Sequence, residues 1–218
     1  MKPKILFITG SDTGVGKTLL AALLTRHLFA GGWRVAGLKP ICAGGRSDAR
    51  VLHEAAGKVL TLAEVNPWHF RAPLAPLLAA RKEHRRVRRR EVVAHIRAVA
   101  ERFEVTVVEG AGGLLSPLGE GFDSRTLLRA LRATPIVVCP NRLGAVNQAL
   151  LVLAALPRPL ASRAHIVLSA GQPDAASAAN VPLLGELVGA GRVHLLPRLK
   201  SIRSTPPRLR ALLSRLTE

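Results

Sequence analysis

A lysine followed by a hydroxyl, at the end of a glycine-rich run, is a combination that can hold a polyphosphate. The run here is Gly10-Ser11-Asp12-Thr13-Gly14-Val15-Gly16-Lys17-Thr18. Backbone N–H groups in such a turn converge on phosphate oxygens, and a helix opening at Gly16 adds its positive N-terminal end. Lys17 would place a full charge near the β and γ phosphates, and the Thr18 hydroxyl can ligate Mg²⁺. Five residues separate Gly10 from Gly16, one more than the standard phosphate loop has, so this loop is a long variant.

Bound Mg²⁺ needs further oxygen ligands. Glu109 follows the apolar run Val105–Val108, where the carboxylate of a second nucleotide motif would sit, and Gly110-Ala111-Gly112-Gly113 then lets backbone approach a ligand closely. Asp48 is the other candidate, although an acid in that position also serves as a helix cap. Lys39 ends an apolar run at Lys39-Pro40, and a lysine at the carboxyl edge of a parallel strand faces the crevice where ligands bind.

The elements that must position these groups can be read from the pattern of apolar residues. Lys4–Thr9, Arg34–Lys39, Val105–Val108, Pro135–Cys139 and Ala164–Leu168 read as strands, with a last one at Leu183–Leu187. Lys17–Phe29 has helical spacing and stops at Gly31-Gly32. Asp48–Ala56, capped by Ser47, reads as helix, as do Glu91–Phe103, Asp123–Leu131, Ala145–Ala155 and a closing Pro206–Leu216. Asn66–Leu77 is broken by three prolines and reads mostly as loop with a short helix; Gly110–Gly121 reads as loop. Apolar strands alternating with helices predict an α/β fold, a mostly parallel sheet with helices on both faces, of the P-loop NTPase kind. At 218 residues, with no repeat and no linker, the chain is expected to form one domain, 1–218.

Composition narrows the partners. No apolar run reaches the roughly 18 to 20 residues of a membrane helix. The N-terminal apolar stretch Ile5–Ile8 is too short for a signal peptide, which points to a cytoplasmic protein without a membrane partner. Cys42 and Cys139 have neither metal-ligand nor disulfide-framework spacing and read as reduced, packed or lining a site. The formal charge is +18, with 25 of the 32 basic residues Arg and no Tyr, which suits a GC-rich coding bias. Arg81–Arg90 holds seven Arg or Lys but no aromatic side chain for base stacking, so a solvated segment is the better reading than a nucleic-acid patch.

Several stretches, taken in order, resemble the dethiobiotin synthetase family. They are the long phosphate loop, Gly37-Leu38-Lys39-Pro40, Ser47-Asp48, Val65-Asn66-Pro67, Val108-Glu109-Gly110-Ala111-Gly112-Gly113 with Ser116-Pro117-Leu118, Leu143-Gly144-Ala145-Val146-Asn147, and Pro182-Leu183-Leu184-Gly185. The resemblance implies an ATP-dependent ligase that converts 7,8-diaminopelargonate and CO₂ to dethiobiotin, with ADP and phosphate released. It implies Lys17, Lys39 and Thr13 as catalytic residues, and Thr18, Asp48 and Glu109 as metal ligands. Asp12, Thr13, Gly14, Val15, Gly16, Lys17, Thr18, Asp48, Glu109 and Ser169 would bind the nucleotide. Thr13, Lys39, Ala43, Gly112, Leu143, Gly144 and Asn147 would bind substrate. The family pattern also implies a homodimer with substrate at the interface, so that Leu143–Asn147 receives the substrate carboxylate from the neighbouring subunit. Gly14, Ala43 and Ser169-Ala170 stand where some members carry Glu, Ser and an Asn-Asp pair that reads adenine.

A partitioning or septum-placement ATPase of the same loop class is the alternative, and the positive charge favours it. Such proteins carry an additional lysine early in the loop, whereas positions 11–15 here are Ser-Asp-Thr-Gly-Val. Arg208–Leu216 is basic and amphipathic but too short for a convincing membrane helix. A corrin-directed amidotransferase would need a glutaminase domain, for which the chain leaves no room.

Overall fold

The computed structural model describes residues 3–172, 174–199 and 207–217. The elements run β1 (Lys4–Gly10), α1 (Lys17–Ala30), β2 (Val35–Leu38), β3 (Ile41–Ala43), α2 (Ser47–Ala55), α3 (Leu62–Val65), β4 (Trp68–Phe70), α4 (Pro76–Lys82), α5 (Arg89–Ala100) and β5 (Val105–Glu109). They continue with α6 (Ser124–Leu131), β6 (Thr134–Asn141), α7 (Ala145–Ala155), α8 (Arg158–Ala161), β7 (His165–Ala170), α9 (Ser177–Val188), β8 (Val193–Leu196) and α10 (Pro207–Arg215).

Six strands form one parallel sheet in the order β2-β5-β1-β6-β7-β8, and β3 and β4 pair, also in parallel, as a small second sheet. The central strand β1 is covered on both faces, which is why its sequence is apolar throughout rather than alternating. Leu6 and Ile8 pack on one side with Leu20 and Leu24 of α1 and Leu212 and Leu213 of α10. Phe7 points the other way, into the cluster that holds Val92 and Ile96 of α5 and Leu128 of α6.

Register sets the site. Ile8 pairs with Glu109, and Leu38 pairs with Val108, so β1, β2 and β5 end together at one edge of the sheet. The phosphate loop, Lys39 and Glu109 therefore leave three neighbouring strands at the same place, the carboxyl edge where α/β proteins bind ligands.

Four expectations are corrected. Leu183–Leu187 is not a strand but the second half of α9, despite Pro182 within that helix. The last strand is Val193–Leu196, one helix later, paired with β7. Ser47 does not cap α2; it is the first helical residue, with Arg46 before it and no side-chain cap. The stretch 66–77 contains the strand Trp68–Phe70 as well as the start of α4 at Pro76. Asp123 lies just outside α6 and caps it, its carboxylate accepting from Thr126 N at 2.8 Å. The expected closing helix is present as α10, and Pro206 lies outside the described residues. No described helix is long and apolar enough to cross a membrane.

Candidate active site

The phosphate loop begins where Ser11 N donates to Val138 O of the adjacent strand at 3.0 Å, and Leu114 N donates to Gly10 O at 3.0 Å. It closes at Gly16, whose φ of 101° precedes α1. A side chain there would be strained, and its Cβ would also lie 2.9 Å from Ser169 Oγ, so glycine is required twice over. Lys17 is buried, and its Nζ donates to Asp12 O at 2.6 Å across the loop.

Glu109 is the hub of the site. It is 1% exposed. Its Oε1 accepts from the Thr18 hydroxyl at 2.8 Å and from Lys39 Nζ at 2.5 Å. Lys39, 4% exposed, also donates to Gly110 O at 3.0 Å and lies 3.3 Å from Asp48 Oδ2. Asp48 is thus brought to the same point by the first turn of α2, which the sequence left open between a cap and a ligand. Burial works to lower the Lys39 pKa, but the Glu109 and Asp48 carboxylates outweigh it and raise the value above the ordinary lysine range. Lys17 is the reverse case: burial, with Lys39 as a second cationic neighbour, lowers it. Both groups line one cavity of about 910 Å³.

That cavity gathers most of the expected residues. Thr13, Gly14, Gly16, Lys17 and Thr18 form one wall, Glu109 and Gly112 another, and Lys39, Ala43 and Asp48 a third. Asp12 and Val15 do not line it. Asp12 faces a neighbouring cavity of about 400 Å³, while its Oδ1 accepts from Thr13 N at 2.6 Å; Val15 is buried under the loop. Ser169 also stands outside the lining, against the back of Gly16. Leu143, Gly144 and Asn147 are exposed at the start of α7, outside this cavity. Leu143 N there donates to Asp174 Oδ2 at 2.9 Å. The sequence reading missed the wall made by Pro73, Leu74, Ala75 and Pro76. Its signal was the proline spacing, which marked the stretch as irregular but not what it faces. Cys42 and Cys139 are buried free thiols, and Cys42 lines the cavity. Burial pushes both to about 11, so neither is a nucleophile near neutral pH.

The donors suit a divalent cation held between protein and phosphate. Glu109 Oε2 is buried with no hydrogen-bond partner among the described residues, an arrangement that costs about 1–3 kcal/mol unless something else uses the oxygen. Among the described residues no three His, Cys, Asp or Glu side chains form a cage of their own. Mg²⁺ characteristically takes one or two carboxylates and completes its shell with phosphate oxygens and water.

Three of the seven basic side chains in the stretch 81–90 are paired within their own chain. Arg81 makes a forked pair with Glu120 at 2.8 and 2.9 Å, Arg85 lies over the Phe70 ring, and Arg88 pairs with Glu91.

A parallel sheet whose first loop ends in Gly-Lys-Thr, facing a carboxylate from a neighbouring strand, defines a P-loop nucleotide-binding protein. A family model described as AAA domain matches residues 4–203. Solved structures share the fold. A ParA family ATPase from Chlorobium tepidum aligns over 99% of this chain and 92% of its own, with TM-score 0.58 at 14% identity. The MinC:MinD complex from Aquifex aeolicus aligns over 98% and 94%, with TM-score 0.60 at 13% identity. Sequence relatives are more specific. The ATP-dependent dethiobiotin synthetase of Anaeromyxobacter sp. strain Fw109-5 is 39% identical over 216 residues, covering 97% of this chain and 96% of the relative. That of Anaeromyxobacter dehalogenans strain 2CP-C is 45% identical over 173 residues, 78% of each chain, and that of Bacillus subtilis strain 168 is 30% identical over 203 residues, 90% and 88%. The chain belongs to the dethiobiotin synthetase family of ATP-dependent ligases.

Proposed function

We propose that this chain, acting as one P-loop domain in a cytoplasmic homodimer, joins CO₂ to 7,8-diaminopelargonate and closes the ureido ring of dethiobiotin, converting ATP to ADP and phosphate. The observation that carries this reading is the placement of Lys39. Its ammonium is buried between Glu109 and Asp48, on the wall of the cavity that Lys17 and Thr18 also line.

One amine of the substrate adds to CO₂ and loses a proton, leaving a carbamate. A carbamate oxygen attacks the γ-phosphorus, ADP leaves, and a carbamic-phosphoric anhydride results. The second amine then attacks the carbamate carbon, gives up a proton and expels phosphate, which forms the second C–N bond. Negative charge accumulates on the carbamate and on the transferring phosphoryl group, and the preorganised, buried cations Lys17 and Lys39 stabilise it strongly. Lys39 holds the carbamate side and Lys17 the β and γ phosphates. Thr13, which lines the same cavity, contacts the group between them. Thr18, Asp48 and Glu109 would hold Mg²⁺, which supplies charge neutralisation on the phosphate oxygens. Ser169 borders the nucleotide site behind Gly16. Leu143, Gly144 and Asn147, exposed at the N-terminus of α7, receive the carboxylate of a substrate bound to the partner subunit; the Leu143 N–H is already held by Asp174, so it is the helix N-terminus beyond it that favours an anion.

The test is to incubate the protein with diaminopelargonate, bicarbonate and a panel of nucleoside triphosphates and to look for dethiobiotin by mass. Lys39→Ala is expected to lower turnover at least about 10²- to 10³-fold while nucleotide binding persists. Undiminished turnover in that variant would remove Lys39 from the chemistry; no product from the wild type would remove the reaction.

A further inference from the structure

The Val65-Asn66-Pro67 stretch has no part in the chemistry above, and Arg46 was not singled out by the sequence. Both lie behind the strand end that carries Lys39. After Leu38 the β2 ladder stops, leaving the backbone carbonyls of Lys39 and Pro40 at a buried turn that must find donors elsewhere. Asn66, 1% exposed, supplies them: its Nδ2 donates to Lys39 O at 2.8 Å and to Pro40 O at 3.2 Å. The backbone completes the attachment, with Lys39 N donating to Val65 O at 3.0 Å and Trp68 N to Pro40 O at 3.0 Å.

Arg46 grips the same asparagine from the other side. Its Nε donates to Asn66 Oδ1 at 3.1 Å, and its terminal nitrogen donates to Asn66 O at 3.0 Å and Leu62 O at 3.1 Å. These contacts allow one amide orientation only, because the acceptor must face the guanidinium and the donor the two carbonyls. Arg46 is also the residue immediately before α2, and its own carbonyl accepts from Arg50 N at 3.0 Å. Asp48 follows two residues later. One side-chain pair thus ties together the strand end bearing Lys39 and the helix start bearing Asp48, which approach each other at 3.3 Å.

We propose that Arg46 and Asn66 are positioning residues for the ligase reaction, forming a bracket that sets Lys39 and Asp48 at their working distance from Glu109. The proposal rests on the reading above, in which Lys39 acts on the carbamate. Neither bracket residue lines the cavity, so neither touches substrate or nucleotide there. Their effect is geometric: displacement of a reacting or stabilising group by about 1 Å is enough to cost about 100-fold in rate.

The experiment compares wild type, Arg46→Met, Arg46→Lys and Asn66→Ala. It measures kcat and KM for ATP from dethiobiotin formation, and the Kd for Mg·ADP by calorimetry. Expected are a kcat lowered about 10- to 100-fold in Arg46→Met and Asn66→Ala, a KM for ATP and a Kd for Mg·ADP raised by far less than kcat falls, by only what a shifted Asp48 accounts for, and partial recovery in Arg46→Lys, which keeps one donor atom. Arg46 is only half-buried, so its variants decide the matter alone if buried Asn66→Ala fails to fold. A folded variant with undiminished kcat overturns the proposal. So does a loss of kcat matched by an equal loss of Mg·ADP binding, which would signal general damage. If the wild type forms no dethiobiotin, it is the reading of the reaction that falls, and the bracket with it.

Discussion

Lys39 Nζ lies 2.5 Å from Glu109 Oε1, and that same oxygen accepts the Thr18 hydroxyl at 2.8 Å. One carboxylate therefore links the strand end of β5 to both the phosphate loop and the end of β2. Two nearly buried charges are kept together only if each satisfies the other, because removing one partner strands an uncompensated ion in a poor solvent.

That relationship predicts a non-additive stability cycle. Glu109→Leu is expected to cost about 3–5 kcal/mol in urea denaturation, moderated by Asp48, which remains beside the lysine. The double variant Lys39→Met with Glu109→Leu should be more stable than Glu109→Leu alone, since the buried charge is gone. Equal or additive losses would mean that the pair contributes nothing through its coupling.

Acid sensitivity is expected from a different place. His194 on β8 is 5% exposed, stacks on His165 of β7 with a ring nitrogen contact of 3.0 Å, and is lowered to about 4 by burial, with His165 and Arg215 adding to it. Between its unfolded value near 6.5 and about 4, the unfolded chain binds the proton and the folded chain does not. Stability must then fall as pH drops through that window. Thermal melts from neutral pH down to about 4 should show this slope, and His194→Leu should flatten it. A slope of the same size in the variant would place the sensitive group elsewhere.

Gly144 offers a test of the proposed carboxylate site. Its φ of 89° precedes α7, a region that a β-branched side chain enters only under strain. Gly144→Val should tilt the helix start and raise the KM for diaminopelargonate about tenfold, equivalent to roughly 1.4 kcal/mol. Nucleotide affinity should not change, because this helix start lies outside the cavity of its own chain. A variant that loses nucleotide affinity and keeps its KM for the diamine would count against the assignment.

Much of the architecture was legible because the strongest signals are local. The solid apolar runs of β1, β5 and β6 announce strands covered on both faces, and the glycines before Lys17 announce a turn that only glycine accepts. The weak cases were weak for a physical reason. Leu183–Leu187 is a short apolar run, which periodicity cannot assign, and α9 claims it because Leu184 packs into the core as part of a longer helix. Val193–Leu196 carries a histidine and spans four residues, and it becomes a strand through its pairing with β7. β3 and β4 likewise exist through each other, across the 24 intervening residues 44–67.

By itself, the sequence determined the phosphate loop, its lysine and hydroxyl, the parallel α/β class and the family, since each is written in contiguous residues whose types and order suffice. Tertiary structure alone decided the placement of groups far apart in the chain. It settled that Asp48 faces Lys39, that Ser169 stands behind Gly16, and that Arg46 and Asn66 brace the β2 end. Those relations depend on strand register and on where α2 begins, and a register is fixed by packing across the whole sheet rather than by any segment within it.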